Sequence, residues 1–235
     1  CDSGLKKVFK YDISGLFTNN PATKKRGKVL LRQIGGTGTN ADKVKFNTCV
    51  TIKRSATGKI YVLDYSLNKN ATIKVLDKDL NWEATYRKES TFRNNPPVDF
   101  DIDLKTGIIY ILSSKGTIVE ISADFKSDKV HSNIHNLKSG EAYMNVFMSS
   151  INNDVIYVAT SKHILKKFKT HLTKTIGSFK TGNNHQYNPL GSDEAIRFAT
   201  AANVRASSIN EEIYVCVKRD KENAEVYSIP RKPVM

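Results

Sequence analysis

The residues best equipped for chemistry in this sequence are its cations. Lysine and arginine outnumber aspartate and glutamate by 37 to 23, a formal charge of +14. Many fall in clusters: Lys6, Lys7 and Lys10; Lys24, Lys25 and Arg26; Lys162, Lys166, Lys167 and Lys169; Lys218, Arg219 and Lys221; Arg231 and Lys232. A surface of this sign attracts polyanions, because neutralising phosphates gives affinity without sequence identity. Phe9, Tyr11, Phe168 and Tyr187 lie near the clusters, and phosphate contacts combined with base stacking are what single-stranded nucleic acid binding requires. The candidate polyanion-binding set is Lys24, Lys25, Arg26, Lys162, Lys166, Lys167, Lys169, Lys218 and Arg219. The competing reading is a solvated lysine surface, with Phe9 and Phe168 packed between sheets.

Other constellations fall short of a reaction. Gly35-Gly36-Thr37-Gly38 lacks the following Lys-Ser/Thr and the helix that a phosphate loop needs; a repeat turn explains it. Asp99, Asp101 and Asp103 open like a calcium loop, but Leu104 stands where glycine is required and Ile109 where glutamate is required. They read instead as the polar face of a strand with a turn aspartate. His131 and His135 lie in an outer strand and loop, without a Glu-x-x-His companion for zinc. No catalytic, metal or cofactor residue is assigned, and no cofactor is expected. Three cysteines, Cys1, Cys49 and Cys216, are too few and too far apart for a disulfide framework, so reduced thiols and an intracellular or virion setting are expected. No apolar run is long enough for a membrane span.

These residues must be positioned by short strands. Residues 58–80 hold two apolar runs, Ile60 to Leu63 and Ile73 to Leu76, joined by a polar turn. The Ile-Tyr pair at Ile60-Tyr61 returns at Ile109-Tyr110, Ile156-Tyr157 and Ile213-Tyr214. Each pair follows another strand and a tight turn (56–58, 105–107, 152–154, 210–212) rich in the residues hairpins need. Aligning Cys1, Leu63, Leu112, Ala159 and Cys216 gives separations of 62, 49, 47 and 57 residues. A period near fifty residues, holding three or four antiparallel strands and no helical pattern, predicts an all-β fold: a β-propeller of short four-stranded blades with about five repeats visible. Within it, Val98, Phe100 and Ile102 alternate with aspartates, whereas 108–112 is apolar on both faces, as a sandwiched strand must be. The register expects the chain to begin in mid-hairpin; five visible repeats fit a five-bladed ring or, in preference, part of a six-bladed ring whose remainder lies upstream. The long segments 18–28 and 181–194 are expected as surface loops, and no linker divides 1–235, so a single domain is expected.

The repeats resemble those of NHL-type β-propellers. The match is closest where Gly35-Gly36-Thr37-Gly38, Phe46-Asn47, Gly58-Lys59-Ile60-Tyr61-Val62-Leu63-Asp64, Asn68 and Ile73-Lys74-Val75-Leu76-Asp77 follow the family's order of glycine loop, phenylalanine, turn glycine, Tyr-Val-x-Asp and closing strand. Cys1-Asp2-Ser3-Gly4 with Val8 to Asp12 is similar to the second half of another repeat. Ser113, Thr160 and Val217 depart from the family's aspartate, and no proline precedes the strand at Val50. The resemblance implies a ring whose relatives are protein-binding scaffolds, RNA-binding modules or, in a few cases, zinc lyases; fold alone does not choose among them. The expected function is a non-catalytic scaffold that binds a protein partner within a larger cellular or viral assembly. The alternatives are a nucleic-acid-binding propeller using the basic clusters and, behind it, a metal-dependent lyase.

Overall fold

The structure is a computed structural model that describes residues 1–12, 29–35, 45–66, 71–88, 91–137, 139, 141–148, 154–161, 163–180, 185–187, 196–198, 201–206, 213–218 and 224–229. Among them there is no helix, and every sheet is antiparallel. The chain forms two compact units, Cys1–Asn94 and Asn95–Met235.

The first unit holds a hairpin, β1 (Lys7–Asp12) with β2 (Val29–Gly35), and a four-stranded sheet of β3 (Cys49–Arg54), β4 (Ile60–Tyr65), β5 (Ala71–Leu76) and β6 (Trp82–Lys88) in that spatial order. The second holds two four-stranded sheets. One runs β7 (Pro97–Ile102), β8 (Ile109–Ser113), β9 (Ile118–Ile121), β10 (Asp128–His131); the other runs β11 (Tyr143–Met148), β12 (Val155–Thr160), β13 (His163–Phe168), β14 (His171–Lys180). The pair β15 (His185–Tyr187) and β16 (Ile196–Phe198) and the three-stranded sheet β17 (Ala201–Ala206), β18 (Ile213–Lys218), β19 (Ala224–Ile229) follow. Within each sheet consecutive strands are neighbours, so each full sheet is a meander of hairpins with an outer fourth strand.

The repeat therefore exists as a structural unit. Ile60, Ile109, Ile156 and Ile213 each open a second strand or stand at its start, and pair with the third strand through Leu76, Ile121, Lys167 and Ile229. The segment 108–112 is buried throughout its strand portion, as a run apolar on both faces requires. Gly107 makes its turn at φ +74°, a conformation that L side chains resist. Phe168, expected between sheets, ends β13 at 40% exposed.

Packing repeats as well. In the first unit Val62 and Leu76 pack with Val8 and Phe46, joining the β3–β6 sheet to the hairpin before it. In the second, Ile156, Val158 and Leu165 pack with Tyr110, Leu112 and Ile118, joining the β11–β14 sheet to the sheet before it. Equivalent faces thus bury against the preceding element.

Candidate functional site

Of the candidate cations, Lys24, Lys25, Arg26, Lys162 and Arg219 lie outside the described residues, while Lys166 lies on β13 and Lys218 ends β18. The two whose side chains are described, Lys167 and Lys169, turn inward. Lys167 is fully buried. It faces Ile156 across the ladder, the place that Leu76 and Ile121 fill in the other sheets. Its Nζ donates to the Ile134 carbonyl at 2.5 Å and to Thr175 Oγ1 at 3.0 Å. Burial disfavours the ammonium and pulls its pKa down from 10.5 to about 8. An amine in this position binds the segment before β11 to the sheet and is not presented to a solvent polyanion.

Lys169 follows in the β13–β14 turn, where its N–H donates to the Asp154 carbonyl at 2.9 Å and its Nζ meets Asp103 Oδ2 at 2.6 Å. Asp103 is the expected turn aspartate: its Oδ1 accepts the N–H groups of Lys105 and Thr106 at 3.0 and 3.3 Å. Burial pushes its carboxyl upward, but the hydrogen bonds, that of Lys169 foremost, outweigh it and leave it below the usual carboxylate range. Lys167 thus ties the segment before β11 to its sheet and Lys169 ties that sheet to the turn after β7, and the sequence pattern hid this because a Lys-rich strand reads as solvated by default.

A second buried lysine escaped the sequence reading. Lys74 stands in the middle of β5, whose six residues are all buried. It donates to the Lys45 carbonyl, lies 4.9 Å from the Phe46 ring centroid, and has Asp64 Oδ2 at 3.6 Å. Asp64 also accepts the N–H groups of Asn47 and Thr48, each at 2.8 Å. Burial drives both members toward neutrality, Asp64 up and Lys74 down. The signal was present in the alternation: Lys74 occupies a position where the aligned strands carry Val119 and Leu165.

The aspartate position itself recurs as a buried polar site. Ser113 Oγ accepts from the Thr117 N–H at 2.9 Å, and Thr160 Oγ1 donates to Glu141 Oε1. Each thus closes a turn or fixes the strand approach. The departure from aspartate changes the partner but keeps the role.

The alternating aspartates of β7 have a use that the sequence left open. Asp99 Oδ2 accepts from Asn145 Nδ2 and the Val146 N–H, both at 3.2 Å, and Asp101 Oδ2 accepts from the Met148 N–H at 2.8 Å. Their face meets the edge of β11, so side-chain carboxylates stand in for a ladder between two first strands. His131 Nε2 lies 3.0 Å from Glu120 Oε2 on the neighbouring strand, and His135 Nε2 lies 3.9 Å from Glu141. Among the described residues no three His, Cys, Asp or Glu side chains converge as metal ligands, and no helix is long and apolar enough to cross a membrane. Gly35, from the glycine-rich stretch, ends β2 at φ +110°, and a Cβ there would meet the Lys6 carbonyl at 2.5 Å and the Phe46 ring at 2.6 Å. Close packing accounts for it.

The chain matches no family model, and no curated protein is significantly similar to it.

Proposed function

We propose that the chain is a non-catalytic interaction scaffold of β-propeller type, built from NHL-like repeats, that binds a protein partner within a larger assembly. The carrying observation is the exposure of Leu5, in the turn before β1, and of Leu30 and Leu31 on β2, at 58, 48 and 56%. Grouped exposed apolar side chains mark protein contact surfaces, whereas phosphate binding needs exposed cations. The inward course of Lys167 and Lys169 supports the same preference over the nucleic-acid alternative. The propeller reading is supported by meandering sheets that follow one another in sequence and bury the same face against their predecessor. The reduced thiol of Cys49, which is buried, fits an intracellular or virion setting.

A photoreactive residue placed at Leu31 tests this in the native source. The reading expects a discrete polypeptide adduct that survives nuclease and moderate salt. Adducts that disappear with nuclease contradict it.

A further inference from the structure

Lys74 and Asp64 stand on neighbouring strands, β5 and β4, with Nζ 3.6 Å from Oδ2 and side chains 0 and 1% exposed. In the other two four-stranded sheets the register puts Val119 and Leu165 in the place of Lys74, and Ser113 and Thr160 in the place of Asp64. An amine and a carboxyl therefore enter one buried site together, in this sheet and in neither of the others. For stability alone the choice is a poor one, because an apolar pair of the same volume is often as stable or more so. The surroundings are those of a reaction centre. Asp64 Oδ1 accepts the N–H groups of Asn47 and Thr48, each at 2.8 Å, and Oδ2 lies 3.4 Å from Asn47 Nδ2. Two backbone donors on one carboxyl oxygen have the form of an oxyanion hole. Lys74 Nζ is held by the Lys45 carbonyl against the Phe46 ring. Phe46 and Val62, which faces Lys74 across the ladder, are at most 1% exposed and wall the site from water.

We propose that Lys74 and Asp64 join in an intramolecular isopeptide bond that ties β5 covalently to β4. Burial disfavours both charges, raising the carboxyl's pKa and lowering the amine's. A proton therefore passes from the ammonium to Asp64 Oδ2, which leaves a nucleophilic amine facing a carboxylic acid. The Nζ lone pair adds to Cγ, and the Asn47 and Thr48 N–H groups stabilise the charge that develops on Oδ1. The adduct collapses as the Cγ–Oδ2 bond breaks: Oδ2 departs with its own proton and one from nitrogen, as water, and an amide remains. Nothing is oxidised or reduced, and no co-reactant is consumed. Groups held close and aligned react at an effective concentration on the order of 10⁵ M or more, and a site that excludes water protects the product from hydrolysis. Cys49, opposite Asp64 on β3, is no rival nucleophile, because its thiol is pushed up to about 12 and stays protonated. The bond makes the β4–β5 hairpin a closed covalent ring.

Mass spectrometry of the full chain, folded and then denatured, tests this without requiring any variant to fold. Wild type should weigh one water less than its sequence. Trypsin should leave Lys74 uncut and release residues 60–69 and 70–78 as one branched species, whose fragmentation places the link between Asp64 and Lys74. Lys74→Met and Asp64→Ala should each restore the full mass. A wild-type mass equal to the sequence, with trypsin cutting after Lys74, would overturn the bond and leave a non-covalent pair. A loss of water that persists in Lys74→Met, or that maps to another aspartate as a succinimide, would overturn it equally.

Discussion

Replacing Lys167 by methionine isolates the cost of an amine held inside a sheet. The folded pKa near 8 lies below the ordinary 10.5, so between those values the unfolded chain binds more protons and stability rises with pH. The contribution is fully present above the unfolded value and is lost as pH falls through the folded one. A tenfold change in proton affinity is worth about 1.4 kcal/mol, so the amine costs wild type about 3 kcal/mol at pH 7 and under about 1 at pH 10. Methionine removes that dependence but leaves the Ile134 carbonyl without its donor, a loss of about 1–3 kcal/mol at any pH. The two proteins should therefore be close in stability at pH 7, with wild type ahead at pH 10. Urea unfolding of both from pH 7 to 10 reads this directly, because other titrating groups cancel in the difference. The wild-type advantage should grow by about 2–3 kcal/mol across the range. A difference that does not change with pH would refute the placement of Lys167 in the core.

Two further outcomes follow from the same geometry. Asp101→Ala leaves the Met148 N–H facing β7 without its acceptor; it should destabilise by about 1–3 kcal/mol, and hydrogen exchange should show Met148 losing protection before residues on β12. Cys49, buried and with its thiol pushed up to about 12, should resist alkylation at pH 8.5 while the exposed Cys1 reacts, because burial disfavours the thiolate nucleophile; peptide mapping after iodoacetamide checks it, and equal labelling of both would contradict the burial.

The strands were legible because their apolar residues are spaced for them. Ile109, Ile111 and Leu112 announce a sandwiched strand, and the recurring Ile-Tyr pair sets a register that the ladders reproduce. The turn role of Asp103 was legible for the same local reason. What the pattern could not reveal was the partner of each polar group. Lys167 and Lys169 belong to a basic cluster in sequence, yet their acceptors, Ile134 and Asp103, lie 33 and 66 residues away. Asp99 and Asp101 read as a polar strand face, and only the approach of β11, more than forty residues later, makes them a seam. Lys74 interrupts an otherwise apolar strand, a signal that was open to view, but its pairing with Asp64 depends on how β4 and β5 set their faces.

The most direct test of the account is a structure of this protein within its native assembly, at a resolution that traces strands. The account predicts polypeptide density from a partner over Leu30 and Leu31 of β2, with Lys167 and Lys169 still enclosed. Nucleic acid lying along the lysines, with those leucines bare of protein, would contradict it.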